Sequence, residues 1–252
     1  PPRGPGIPIA AATGLLAWFA IGSILTATGG APAVPLDDTF IHFQFARCFA
    51  ELRPFEYSPG APRVAGATSL LWPALLAPFH AVGWRGASLI WVAWAGGFVA
   101  LGLLAHETWH AARGLLSPAG AAAAAAMVLA FGGHVWCAAS GMEVIPLAWL
   151  LLRSARRVAE HAEGHGPVPR AARRELLALA LLAPAMRPEG ALASVLVAVT
   201  LAGFPRGGSR LLALVPLAMP LVPGLVNWIA TGDWSTTTVA AKWLFATPYP
   251  AR

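Results

Sequence analysis

Charge is scarce in this sequence: 11% of its residues are Asp, Glu, Lys or Arg, against 57% hydrophobic. Lys242 is the sole lysine, and tyrosine and cysteine occur twice each. Two cysteines without a framework spacing, Cys48 and Cys137, exclude a disulfide scaffold. No Gly-rich phosphate loop, Walker lysine or Ser-His-Asp order stands out, which argues against the nucleotide-hydrolysing and serine-hydrolase classes. With so little charge and a mean hydropathy of +0.64, an ordinary soluble domain is excluded as well. What remains is a polytopic membrane protein. The formal charge of +6 sits on arginines gathered in short loops between apolar runs, a pattern of membrane topology and not of a nucleic-acid surface.

A spanning helix needs about 20 apolar residues, with roughly 17 to 25 tolerated. The pattern predicts spans over Ile7–Thr28, Ala87–Ala105, Ala119–Cys137, Val144–Arg157, Glu175–Met186, Gly190–Phe204 and Leu211–Ala230. Ser69–Val82 is shorter, is interrupted by Pro73 and Pro78, and is expected to lie along the surface or re-enter without crossing. The Arg-rich loop at about 153–174, with Arg153, Arg156, Arg157, Arg170, Arg173 and Arg174, marks the cytoplasmic side. Counting outward from it puts Arg3, Arg113, Arg206 and Arg210 inside. The same count puts Asp37, Asp38, Glu143, Arg187, Glu189, Asp233 and Lys242 outside. A first outer loop at about 31–86 carries interfacial helices. The chain opens at Pro1 and closes at Arg252 directly after an apolar run, and is expected to be the N-terminal part of a longer protein.

Ionisable groups are costly at membrane depth, so their gathering on one side points to surface chemistry more than to a transport route. Each also has a structural reading. Asp37 and Asp38 precede TFIHFQFARCFAEL, whose apolar residues suit an interfacial helix, and one Asp would serve as its N-cap. A cap needs only one. His42 lies one turn after Asp38, within side-chain reach. Ser140 and Glu143 of SGMEVIP match the S-x-x-E capping box. Arg187 and Glu189 flank Pro188 in MRPEG, where the arginine can pair locally or hold a phosphate. His106, Glu107 and His110 form HETWH, the helical H-E-x-x-H spacing of a zinc site. That motif lies at the expected cytoplasmic end of its helix without an acidic third ligand, so no metal site is assigned there.

The stretch DDTFIHFQFARCFAELRPFEYSPGAPRVAGATSLLW, residues 37–72, resembles the pattern DDxFIxxRYAxNL…NPGxxVEGYTSxLW of bacterial membrane glycosyltransferases of the GT-C class, among them mycobacterial arabinofuranosyltransferase-like proteins. SGMEVIP is similar to their SGxET segment, MRPEG to TRPEG, and TTTVAAK to PNTFYAK. Order and spacing agree from Asp37 to Lys242. This chain departs from the pattern at Cys48, Ala65, Ala67 and Thr237, where the family has Asn, Glu, Tyr and Asn.

The resemblance implies an all-α GT-C-like bundle over residues 1–252 in the bacterial inner membrane, with its active site facing out of the cytoplasm. It implies a polyprenyl-phosphate sugar as donor and a cell-envelope glycan, lipid or protein as acceptor. Carried over by position, it makes Asp37 and Asp38 the first acids, Glu143 the acid of SGxET, Arg187 and Glu189 the RPEG pair, and Lys242 the terminal lysine. Sugar transfer needs a base for the acceptor hydroxyl and positive charge for the departing phosphate. Asp37 is the expected base, with Asp38 supporting it or sharing Mg or Mn, since hard carboxylates suit those ions. Arg187 and Lys242 are expected to hold phosphate, and His42, Glu143 and Glu189 to contact substrate. A noncatalytic membrane subunit, a transporter, or a zinc protease using HETWH are the alternatives.

Overall fold

The computed structural model describes residues 5–162, 168–203 and 210–236. Among these the chain is all helical, with no strand. The helices are α1 (Gly6–Ala27), α2 (Asp38–Ala50), α3 (Leu71–Ala81), α4 (Leu89–Arg113), α5 (Pro118–Ala130), α6 (Gly132–Ala139), α7 (Val144–Ala162), α8 (Arg170–Met186), α9 (Ala191–Gly203), α10 (Arg210–Ala218) and α11 (Leu221–Thr231).

Local chemistry accounts for several boundaries. α5 opens where the Ser117 hydroxyl accepts from the Gly120 amide at 3.2 Å and Pro118 takes the first turn, both favoured at a helix start. α11 closes at Gly232, whose φ of +83° supplies the left-handed terminator. α4 is the centre of the packing: α1, α5, α6 and α7 all lie against it, and Leu89, Ile90, Trp94 and Leu101 are almost fully buried in the shared core.

Among the described residues two helices are long and apolar enough to cross a membrane, Gly6–Ala27 and, with its preceding 3-10 turn, Gly86–Arg113. The pair α5 and α6, bent by 52°, makes a third if it is one broken span. The predicted apolar runs all become helix, but not all as predicted. Leu211–Ala230, expected as one span, divides into α10 and α11 at Met219 and Pro220, because Pro216, Pro220 and Pro223 interrupt the amide ladder. Val144–Arg157 continues to Ala162 as a strongly amphipathic helix, apolar toward the core and Arg-rich along its second half. Ser69–Val82 contains the short helix α3.

Candidate functional site

The site is built around a turn. Between α6 and α7, Gly141 has φ +77°, and a Cβ added there would stand 2.8 Å from Thr39 Cγ2, so conformation and space both call for glycine. The three carbonyls of this turn are fixed from three different helices. Trp94 Nε1 of α4 donates to Ala139 O at 2.6 Å, Thr39 Oγ1 of α2 to Ser140 O at 2.7 Å, and Trp72 Nε1 of α3 to Gly141 O at 3.0 Å. All three donors are buried, so each bond also satisfies a polar group that would otherwise be costly.

The turn delivers Glu143, which is fully buried. Its carbonyl accepts from Leu147 N at 2.9 Å, starting α7. The predicted capping box is not formed. Ser140 Oγ donates to Cys137 O at 2.7 Å and accepts from Met142 N at 3.3 Å, while Ser140 N already bonds Trp136 O. Glu143 therefore turns its carboxylate to distant partners. Arg187 Nη1 donates to Oε1 at 3.1 Å, and His42 Nε2 lies 3.1 Å from Oε2. The histidine contact is close but not aligned as a hydrogen bond, and neither Oε2 nor the buried His42 Nδ1 has a hydrogen-bond partner among the described residues. Burial pushes the Glu143 carboxyl up, but His42 and Arg187 outweigh it and hold the group below its ordinary value.

Arg187 reaches Glu143 because α8 ends there. Its backbone is extended, its amide still bonds Ala183 O at 3.1 Å, and Pro188 opens a 3-10 turn that folds back on the helix end. Gly190 makes the fold-back possible: a Cβ would fall 2.0 Å from Ala183 O. The guanidinium also meets Glu189, Nη2 to Oε1 at 3.3 Å and Nε to Oε2 at 3.4 Å. Glu143 is the buried member of this arrangement and Glu189, 61% exposed at its side chain, the open one.

The structure thus brings together His42, Glu143, Arg187 and Glu189, drawn from three separate segments. Asp37 and Asp38 are exposed at the start of α2, next to Thr39. Asp37 Oδ1 accepts from Asp38 N at 3.0 Å. This ties the first carboxylate to the helix start, although a full N-cap bonds the second or third amide. Neither Asp forms an ion pair or hydrogen bond with the buried cluster among the described residues. His42, expected beside Asp38, points to Glu143 instead, because the buried face of α2 runs through Thr39, His42 and Ala46. Lys242 and Thr237 lie outside the described residues. No three His, Cys, Asp or Glu among the described residues stand close enough to hold a metal ion, so the pair at Asp37 and Asp38 lacks a third protein ligand there.

HETWH is built into a different arrangement. Glu107 is buried, paired with Arg153 Nη1 at 2.5 Å and with Arg156 Nε. Arg153 and Arg157 both hold Glu175, and Arg156 and Arg157 both hold Glu160. The two imidazoles of the motif face each other, Nε2 to Nε2 at 3.2 Å. A glutamate held by two guanidiniums is not a free base. This network lies at the opposite end of α4 from the Glu143 cluster. Ala93 touches the Gly141 turn, and Glu107 follows 14 residues later, about 21 Å along the axis at 1.5 Å per residue.

Sequence reasoning missed the three donors of the turn. Two of them are tryptophans, whose N–H seeks a partner when buried, and that was the available signal. It also missed a small pocket of about 210 Å³ against the RPEG turn, lined by Ser69, Pro188, Asn227 and Trp234 among others. No protein-family model matches the chain, no curated protein is similar to it, and no solved structure resembles it.

Proposed function

We propose that this chain is the membrane domain of a GT-C-type glycosyltransferase, a multi-pass protein of the bacterial inner membrane that moves a sugar from a polyprenyl phosphate to an acceptor outside the cytoplasm. One observation carries the reading. Three of the four segments that resemble the family converge: His42 of the DDTF stretch and Arg187 of MRPEG both contact Glu143 of SGMEV at 3.1 Å. Similarity of separate short strings does not require that they meet. A shared site does.

In this reading Asp37 takes the proton of the acceptor hydroxyl, the new oxygen–carbon bond forms at the sugar's anomeric carbon, and the bond to the phosphate oxygen breaks. Its Oδ1, held by the Asp38 amide, fixes the carboxylate, and Oδ2 faces the acceptor. The departing phosphate takes the place of exposed Glu189 on Arg187, with Lys242 as a second cation. Buried Glu143 stays and aims the guanidinium, and His42 positions Glu143. Ala65 and Ala67, small where the family has Glu and Tyr, line the pocket beside the RPEG turn and leave it room for the acceptor. A transport reading draws on the 52° break between α5 and α6, since broken helices line substrate paths in transporters.

The test is transfer of labelled sugar from a panel of polyprenyl-phosphate sugars by the full-length protein in liposomes. Asp37→Asn keeps the size and capping ability of the side chain and is expected to lower the rate by about 10² to 10⁴. A folded Asp37→Asn protein that transfers at the wild-type rate removes Asp37 as base. Uptake of substrate without transfer favours transport.

A further inference from the structure

One side of α2, from buried Phe43 to exposed Phe40, lines a second, larger opening. Phe40, Phe43, Gln44 and Arg47, spaced i, i+3, i+4 and i+7, share one side of the helix. Across from them stand His80 at the end of α3 and Arg85 ahead of α4, and together they enclose a cleft of about 640 Å³. His80 is 7% exposed and lines the cleft, and its ring makes no hydrogen bond among the described residues. Arg47 is weakly committed: Nη2 reaches Tyr57 O at 3.5 Å, Nε is 4.0 Å from Glu51, and Nε is buried without a hydrogen bond. Glu51, the one acid on the cleft wall, is occupied by Arg53. Arg85 is exposed and forms no ion pair among the described residues.

A guanidinium without an ion pair, a second held only by long contacts, and a buried imidazole across one cleft make a receptor for a phosphate group. Position says where the phosphate comes from. Arg85 stands one residue before the candidate span Gly86–Arg113, which sets it at headgroup level when that helix crosses the bilayer. Phe79, Val82 and Trp84 beside it are exposed and apolar, as suits contact with acyl chains and unlike the rim of a site for a free ion. The geometry points to a binding site for the phosphate of a membrane lipid headgroup, held between Arg47 and Arg85 with His80 as a further hydrogen-bonding group. It is a separate site from the Glu143 and Arg187 cluster, and its occupancy does not depend on the transferase reading.

Binding to the full-length protein in uncharged detergent tests this, by titration with native mass spectrometry. The probes are dioctanoyl phosphatidylglycerol, dioctanoylglycerol with the same chains but no phosphate, and inorganic phosphate. The phospholipid is expected to bind saturably and the other two at least about tenfold more weakly, since each lacks one half of the recognition. Arg85→Gln, at an exposed residue whose loss leaves nothing buried and unpaired, is expected to weaken the phospholipid about tenfold, the effect of one lost charge-assisted bond. Arg47→Gln adds to the loss, and Arg113→Gln at the far end of α4 leaves binding unchanged. Equal binding of dioctanoylglycerol overturns the role of the phosphate, and equal binding of inorganic phosphate overturns the lipid assignment. Wild-type affinity in folded Arg47→Gln/Arg85→Gln, with loss in Arg187→Gln, places the phosphate at the other cluster and overturns the cleft. Failure here leaves the sugar-transfer assay untouched, because the readout is binding alone.

Discussion

The hydroxyl of Thr39 donates to the carbonyl of Ser140 at 2.7 Å across 101 positions of sequence, and this bond fastens the start of α2 to the turn that carries Glu143. Thr39→Val keeps the shape and removes the donor, leaving a buried carbonyl unpaired. A loss of about 1 to 3 kcal/mol is expected, read as a lower thermal midpoint in detergent. Thr39→Ser restores the hydroxyl and is expected to recover most of it.

Gly190→Ala puts a methyl group where Ala183 O already sits, at 2.0 Å. Backbone has to move, at a cost of about 1 to 3 kcal/mol, and Arg187 moves with it. In the proposed sugar-transfer assay the rate is expected to fall by more than the loss of folded protein accounts for. Gly132→Ala, where a Cβ meets nothing within 4 Å, is the control for both measurements.

Glu143 has a folded-state pKa below its ordinary 4.5. A depressed carboxyl contributes stability that is fully present above the ordinary value and is lost as pH falls through the folded value. Glu143→Gln removes the dependence. The gap in thermal midpoint between wild type and Glu143→Gln is expected to be widest near neutral pH and to close as pH drops below about 4.5. A gap that stays constant across that range contradicts the ion-pair account of the site.

At the other end of α4, Glu107→Gln strips the buried carboxylate from Arg153 and Arg156. About 3 to 5 kcal/mol is the expected cost of breaking such a group. His106→Ala and His110→Ala, at a partly exposed pair, are expected to cost far less. Metal analysis of the purified protein is expected to find no stoichiometric zinc, and zinc lost on both histidine variants would restore the protease reading of HETWH.

The helices were legible because membrane-scale apolar runs are long and their breaks are marked by Pro, Gly and Arg. Pro216, Pro220 and Pro223 also announced the division of α10 from α11, but total apolarity outweighed them in the span count. The site was legible as a list and not as a geometry. Ser140 and Glu143 satisfy a capping box by spacing, and local sequence contains nothing to say that Glu143 is claimed by His42 and Arg187. Those partners belong to α2 and to the turn after α8, and only packing decides which face of α2 turns inward. Glu107 illustrates the same limit: HETWH is fully readable in sequence, while the arginines that engage its glutamate lie on α7.

The turn at Ala139, Ser140 and Gly141 takes its three donors from α4, α2 and α3, so it cannot open unless a bond to one of these helices opens with it. Amide hydrogen exchange around Met142 and Glu143 is therefore governed by a cooperative unit larger than the loop itself. A segment that looks like a short connection between two helices has the protection of the bundle's centre, and its exchange rate is a gauge of how firmly α2, α3 and α4 are assembled around it.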